Sequence, residues 1–202
     1  MSADCHNTAA MIPAAGNSGR MGIPKAFIKM PDGRTFLEQI VQVYFEMEIK
    51  PVVVVNSTIF RVIEYRKPLF YNDVMWVVNS QPEKGRMHSI NMGLKSISDK
   101  SYCFIQNIDQ PFATPELLRD LLRYADHADY IVPACQGRNG HPILINRKLI
   151  DYLTKQTAGP ETLKEALEPY DRYCCLVSNP QITCNINTPD DYQAAFGVAM
   201  KE

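Results

Sequence analysis

A chain of 202 residues is long enough for one sizeable hydrophobic core and short for two, so we predict a single domain over residues 1–202. The sequence is 46% hydrophobic and 21% charged with a formal net charge of -1, which is typical of a globular domain and unlike the basic proteins that bind nucleic acid. Its longest apolar runs are too short to span a bilayer, and its first residues lack the pattern of a secretion signal. We therefore expect a cytoplasmic protein with neither nucleic-acid nor membrane partners.

Strand-like runs alternate with helical patterns through the first half of the chain. Residues 8–13 predict a strand that is apolar throughout, and residues 35–47 predict a helix whose Thr35 and Glu38 have the spacing of a capping box. Residues 51–55, with four valines, suit the centre of a parallel sheet. The pattern continues with a helix over 58–67, a strand over 73–78, a helix over 86–97 and a strand over 101–107.

The second half keeps the same alternation. A helix over 114–125 has Thr114 as N-cap and Pro115 at its first position, and residues 141–146 predict a strand that pairs back antiparallel. The other predicted elements are a strand over 129–134, helices over 147–155 and 160–168, strands over 172–177 and 182–186, and a helix over 188–200. Such alternation predicts an α/β layer structure with a mainly parallel sheet.

In open sheets of this type, ligands bind beyond the carboxyl ends of the strands. The loops that follow predicted strands hold most of the glycines and the unusual polar clusters, and they span residues 13–25, 79–89, 108–112 and 135–142. The turns that lead from helices into strands resemble plain solvent loops. The sequence therefore predicts a ligand site built from these four loops.

The first of these loops reads PAAGNSGRMGIPK. Its glycines lie three residues apart, which does not match the dinucleotide-binding fingerprint, and Lys25 follows a proline, which does not match a Walker A loop. What remains is a loop with many open backbone N–H groups and two cations, Arg20 and Lys25, which suits a triphosphate wrapped by the loop. The alternative is a glycine-rich surface turn without a ligand.

Three further polar residues are candidates for a metal site. Asp109 directly follows a predicted buried strand, where a carboxylate can bind a divalent cation, although aspartates also serve as ordinary turn residues. Asn185 and Asn187 alternate on the last predicted strand, so we expect both side chains on one face, where their amide oxygens could ligate magnesium. Turn and N-cap chemistry is the alternative for both asparagines.

Five segments, in order along residues 13–192, together resemble a known family. PAAGNSGRMGIPK is similar to the AAGxSxRMGxPK motif of the molybdenum cofactor cytidylyltransferases and related MobA-like nucleotidyltransferases. The other matches are NSQPEKGRMHSINMGL to the second nucleotide-contacting segment, IDQPF to the DQP turn, QGRNGHP to the GRxGHP turn, and NINTPDDY to DIDTPEDY. The resemblance implies a nucleotide-diphospho-sugar transferase-like fold, a three-layer α/β/α sandwich whose mostly parallel sheet contains one antiparallel strand.

The resemblance also implies roles for individual residues. The nucleotide-binding set would be Ala14, Ala15, Gly16, Ser18, Arg20, Lys25, Asn79, Gly85, Arg86 and Ser89. The catalytic residues would be Lys25, Arg20 and Asp109. The ligands of a Mg²⁺ cofactor would be Asp109, Asn187 and Asn185. The acceptor-binding residues would be Arg138, His141 and Pro142. The amides of Asn185 and Asn187 depart from the aspartates of the family motif, which should weaken magnesium binding.

The function that the resemblance implies is transfer of CMP from CTP to a phosphorylated small molecule, with a molybdopterin-type cofactor as the expected acceptor and pyrophosphate as the product. The Ala14–Ala15 pair stands where guanylyl-transferring relatives tend to carry glycine, which favours a pyrimidine base. Two alternatives stay open: a cytidylyltransferase acting on a sugar, polyol or choline phosphate, and a regulatory nucleotide-binding protein with weakened catalysis. The sequence leaves the oligomeric state open.

Overall fold

A computed structural model describes residues 5–16, 21–156 and 162–200, and its centre is a single sheet of eight strands. The strands are β1 Thr8–Pro13, β2 Pro51–Asn56, β3 Met75–Asn79, β4 Tyr102–Ile105, β5 Tyr130–Cys135, β6 Arg138–Asn139, β7 Ile143–Asn146 and β8 Arg172–Leu176. Their order is β3-β2-β1-β4-β7-β5-β6, with β8 paired to β5.

Most of the strand pairs are parallel, as expected. The first four strands in the order run parallel to one another, and β5 and β8 form a second parallel pair. The predicted antiparallel strand is β7, which joins these two groups because it pairs with both β4 and β5. The two-residue β6 is a second antiparallel strand, where the sequence pattern had indicated only a turn.

Seven α-helices cover the two faces of the sheet in the described part of the chain. They are α1 Phe36–Phe45, α2 Ser57–Arg66, α3 Arg86–Lys95, α4 Pro115–Arg123, α5 Arg147–Lys155, α6 Leu163–Leu167 and α7 Pro189–Phe196. The predicted capping box of Thr35 and Glu38 begins α1, and Thr114 caps α4 as expected. The last helix is shorter than predicted because Gly197 adopts a φ of 71° and ends it. No helix in these described segments is long and apolar enough to cross a membrane.

Each face of the sheet packs against its own group of helices, which gives three layers. Alternating residues of β1 point to opposite faces: Ala10 and Ile12 pack with α1, α2, α4 and α7, whereas Ala9 and Met11 pack with α3, α5 and α6. All four side chains are at most 2% exposed. This arrangement confirms the expected α/β/α sandwich.

The strand predicted over residues 182–186 is wrong. Residues Pro180–Thr183 form a 3₁₀ helix, and an irregular segment follows it up to α7. Ile182 and Ile186 are buried in this segment although it forms no strand. The backbone nonetheless bonds to loops: the Ile182 carbonyl accepts from the His141 N–H at 3.2 Å, and the Ile186 N–H donates to the Asp109 carbonyl at 2.9 Å.

The sheet topology brings the four polar loops together. Because β1, β3, β4 and β5 run in one direction, their carboxyl ends lie at the same edge of the sheet. The reversed direction of β7 places the segment that precedes it, residues 140–142, at this edge as well.

Candidate active site

A cleft of about 530 Å³ lies at this edge of the sheet, within the usual size range of small-molecule sites. Its described lining consists of Pro13, Ala14, Ala15, Gly16, Met21, Lys25, Pro82, Gly85, Arg86, Ser89, Asn107, Ile108, Asp109 and Asn187. The cleft thus brings together most of the residues that the sequence predicted for nucleotide binding. Ser18 and Arg20 lie outside the described residues.

The beginning of the glycine-rich loop is held in place by backbone and amide hydrogen bonds. The Ala14 N–H donates to the Val54 carbonyl at 2.7 Å, which extends the β1–β2 pairing by one residue. The Ala15 carbonyl accepts from Asn56 Nδ2 at 2.9 Å, while Asn56 Oδ1 caps α2 by accepting from the Ile59 N–H at 2.8 Å. The loop therefore enters the cleft with a fixed backbone.

Lys25 reaches across the cleft to two of the predicted metal ligands. Its Nζ lies 2.9 Å from Asp109 Oδ2 and 2.7 Å from Asn187 Oδ1. The side chains of Lys25 and Asp109 are only 16% and 20% exposed, so this charge-assisted contact is partly shielded from water. Two oxygens thus converge on one positive charge.

These oxygens fit a hard divalent cation, which prefers carboxylate and amide oxygens and completes its coordination with phosphates and water. In the segments that the structure describes, no group of three or more His, Cys, Asp or Glu side chains could hold a metal by itself. A cation here would therefore need most of its ligands from a bound molecule or from water.

Asn185 does not share a face with Asn187, contrary to the sequence prediction. Asn187 lines the cleft, whereas Asn185 lines a second cavity beside it. The reason is that the two residues belong to an irregular segment and not to a strand, so the strict alternation of side chains does not hold. A ligand role for Asn185 stays a prediction without support from this placement.

The opposite wall of the cleft is the beginning of α3. Gly85 has a φ of 85° and precedes the helix, where it offers no side chain to cap the first N–H groups. The positive end of the helix dipole therefore faces the cleft beside Arg86 and Ser89. Asn79 does not line the cleft: it is buried and donates from Nδ2 to Ser89 Oγ at 3.0 Å, which fixes the hydroxyl position.

The second cavity has a volume of about 450 Å³ and adjoins the cleft. It combines apolar side chains with three cations, Arg86, Lys164 and Arg172, and none of its described lining residues is an Asp or Glu. Of the three residues predicted to bind the acceptor, only His141 lines it. Arg138 is exposed on β6 and Pro142 is buried, and neither lines either cavity.

His141 is neutral in this environment. Burial lowers the pKa of its imidazole to about 3, the charge of Arg86 lowers it in the same direction, and Asp109 opposes both effects. Its Nδ1 atom is buried and finds no hydrogen-bond partner within the described segments. The second cavity therefore takes its positive charge from Arg86, Lys164 and Arg172 alone among its described lining residues.

Arg86 and Asn107 line both cavities and lie at their boundary. An Nη2 hydrogen of Arg86 bonds to Asn107 Oδ1. Asn107 Nδ2 donates to Gln110 Oε1 at 2.8 Å, and Gln110 Nε2 donates to the Ile182 carbonyl at 3.3 Å. Burial lowers the pKa of Arg86 whereas Asp109 raises it.

Sequence reasoning missed several residues of this site. Asn107 was assigned to the end of a strand, and Gln110 was noted only as part of the IDQPF segment. Lys164 and Arg172 lie far along the chain from every motif, and only the fold brings them to the second cavity. Asn56, the last residue of β2, carried no local signal for its bond to the glycine-rich loop.

Comparisons with known proteins agree with this geometry. The model of the MobA-like NTP transferase domain family matches residues 10–173. A probable molybdenum cofactor guanylyltransferase of Natranaerobius thermophilus is 29% identical over 94% of this chain and 95% of its own, and the molybdenum cofactor cytidylyltransferase of Escherichia coli K12 is 26% identical over 92% and 93%. A solved nucleotidyl transferase from Methanothermobacter has a TM-score of 0.78 and 22% identity, covering 94% and 96% of the two chains. Structural likeness of this kind confirms the expected nucleotide-diphospho-sugar transferase-like fold.

Proposed function

Because the chain belongs to the MobA-like NTP transferase domain family, we propose that this nucleotidyltransferase transfers CMP from CTP to a phosphorylated acceptor, best matched by a molybdopterin-type cofactor. The observation that carries the proposal is the meeting of Lys25, Asp109 and Asn187 in one cleft with the Ala14–Gly16 backbone. The neighbouring cationic cavity supports an acceptor that carries a phosphate.

In the proposed reaction, an oxygen of the acceptor phosphate attacks the α-phosphorus of the nucleotide. A new P–O bond forms, the bond between the α-phosphorus and the β-phosphate oxygen breaks, and pyrophosphate leaves with the electron pair. The attacking phosphate is already largely ionised near neutral pH, so no general base is required. The protein's contribution is alignment of the two substrates and neutralisation of charge.

Lys25 is proposed to move from Asp109 to the triphosphate when the nucleotide binds. Its ammonium group then balances charge on the phosphates, and the oxygens of Asp109 and Asn187 become available. We propose these two residues as the protein ligands of Mg²⁺, which supplies positive charge beside the triphosphate when bound. Arg20, which lies outside the described residues, is proposed to hold the triphosphate as the resemblance implies.

The choice of CTP rests on the two alanines at the start of the loop and on the cytidylyltransferase relative. Ala14 and Ala15 line the cleft and are at most 4% exposed, and we propose that alanines at these positions, where glycine is usual in guanylyl-transferring relatives, favour the smaller pyrimidine base. GTP is the second candidate, because the relative at 29% identity is named a probable guanylyltransferase.

The test is an assay of pyrophosphate release with Mg²⁺ and each nucleoside triphosphate, paired with molybdopterin or with a sugar, polyol or choline phosphate. We expect release with CTP and molybdopterin. Release with GTP but not with CTP would show that the nucleotide substrate is GTP. Release with a sugar, polyol or choline phosphate would show that the acceptor is not molybdopterin. Nucleotide binding without any release would favour the regulatory alternative.

The metal assignment is tested with Asp109→Ala, which removes the carboxylate from the cleft. We expect activity to be lost while circular dichroism stays that of the wild type. The matched control is Asp120→Ala, since Asp120 pairs with Arg123 on the surface of α4 and lines neither cavity. An active Asp109→Ala enzyme would remove Asp109 from the mechanism.

A further inference from the structure

We propose that Arg86 is a catalytic cation that contacts the reacting phosphates of both substrates, and that Asn107 and Gln110 are positioning residues that aim it. The family resemblance had implied only that Arg86 binds the nucleotide. The inference rests on the proposed function, because it concerns the place where that reaction occurs.

The position of Arg86 follows from the two cavities. Within the described lining residues, Arg86 and Asn107 are the two that face both the nucleotide cleft and the cationic cavity. A nucleotide in the cleft and an acceptor phosphate in the cavity react where these spaces meet. A cation at that boundary therefore lies beside the attacking phosphate and the α-phosphate together.

The direction of the hydrogen-bond chain aims the guanidinium. The Ile182 carbonyl can only accept, so Gln110 must present its Nε2 to it and its Oε1 to Asn107. Asn107 must then donate from Nδ2 to Gln110 and present Oδ1 to Arg86. Both amides are buried, at 8% and 4% exposure, so reversing either one would leave buried polar groups unpaired.

The guanidinium keeps enough donors for phosphates. An arginine has five N–H donors in a rigid planar fork, and the bond to Asn107 uses one of them. The remaining donors can bond to oxygens of two phosphate groups, which matches the geometry that arginine prefers. His141 beside it is neutral and does not compete for the phosphate charge.

The experiment measures kcat with CTP and molybdopterin, together with the dissociation constant of CTP, for Arg86→Gln, Asn107→Ala and the double variant. We expect Arg86→Gln to lower kcat about 100-fold and Asn107→Ala about tenfold, with CTP affinity within about threefold of wild type. The double variant should be no slower than Arg86→Gln, because residues that act as a unit are not additive.

A matched control variant separates an effect on the position of Arg86 from a general effect on the stability of the protein. Asn91 lies on the same helix as Arg86 and donates from Nδ2 to the Leu153 carbonyl at 2.7 Å, and it lines neither cavity. Asn91→Ala should leave kcat unchanged.

Three results would overturn the proposal. A tenfold loss of CTP affinity with unchanged kcat in Arg86→Gln would make Arg86 a base or ribose contact. Losses that multiply in the double variant would show that Asn107 does not act through Arg86. A wild-type enzyme that releases no pyrophosphate with any pair of substrates would overturn the proposed function, and this inference with it.

Discussion

At the scale of single residues, Lys25 links most parts of the candidate site. Its ammonium group bridges the Asp109 carboxylate and the Asn187 amide, two residues that lie 84 and 162 positions further along the chain. The sequence predicted a role for each of the three residues. It could not predict their mutual contact, because that contact depends on where the loop after β4 and the segment before α7 meet.

Replacing Lys25 tests the charge that it contributes. We expect Lys25→Gln to lower kcat by about 100- to 1,000-fold, since a preorganised charge beside the reacting phosphates would be lost. The measurement is steady-state pyrophosphate release at saturating nucleotide. Lys29→Gln is the control, because Lys29 is exposed and lines neither cavity. Equal rates for the two variants would exclude Lys25 from catalysis.

The lowered pKa of His141 should make the stability of the protein depend on pH. Its folded-state pKa of about 3 lies below the ordinary value of 6.5, so the unfolded chain binds a proton that the folded chain does not. The free energy of unfolding should therefore fall as the pH decreases from 6.5, by about 2 kcal/mol at pH 5. Urea unfolding at both pH values measures this change.

Two variants test whether His141 causes this pH dependence of stability. His141→Gln removes the titrating imidazole and should lose this part of the pH dependence, whereas His6→Gln should keep it, because His6 is exposed. Identical pH profiles for wild type and His141→Gln would contradict the assignment.

Among the secondary-structure elements, the segment from Pro180 to α7 is one whose structure the sequence pattern did not predict. The sequence predicted a strand over residues 182–186, whereas the structure has a 3₁₀ helix and an irregular segment in which Ile182 and Ile186 are buried. The sequence did not reveal the partners of the backbone hydrogen bonds of this segment, which lie in the turn at His141 and the loop at Asp109. By contrast, β1, β2 and the capped starts of α1 and α4 were predicted well, because their signals are local.

Gly140 tests how tightly this segment packs. A Cβ atom at this position would clash with the side chain and the carbonyl of Ile182, so the turn would have to move. We expect Gly140→Ala to lower the free energy of unfolding by about 2 kcal/mol, as overpacking of a closed site does. Urea denaturation measures the loss. Arg138→Ala, an exposed change in the same turn, should stay within about 0.5 kcal/mol of wild type; equal losses would contradict the clash.

At the scale of the whole molecule, one continuous sheet carries both cores. The two groups of helices pack on opposite faces of the same strands, so neither core can form without the sheet. The single domain over residues 1–202 stays a prediction, which the thermal unfolding of the protein can test. We therefore expect one cooperative thermal transition.

Nucleotide binding should raise the temperature of that transition as a whole. CTP with Mg²⁺ at 100 times its dissociation constant should stabilise the folded state by about 2.7 kcal/mol, which corresponds to a rise of about 5–10 °C in Tm. Differential scanning calorimetry measures both quantities. Two separate transitions would contradict the single domain, and an unchanged Tm would contradict nucleotide binding.

The reversed strand β7 divides the sheet into two groups of parallel strands. The group β3-β2-β1-β4 carries most of the loops of the cleft, to which the segment before α7 adds Asn187. The elements β5, β8 and α6 contribute Tyr130, Val132, Leu163, Lys164, Leu167 and Arg172 to the second cavity. Substitutions in β5, β8 and α6 should therefore change the second cavity without changing the loops that line the cleft. If the proposed function holds, we expect a hybrid enzyme that takes only β5, α6 and β8 from a relative, and keeps the segment with Asn187, to exchange the acceptor and retain the nucleotide.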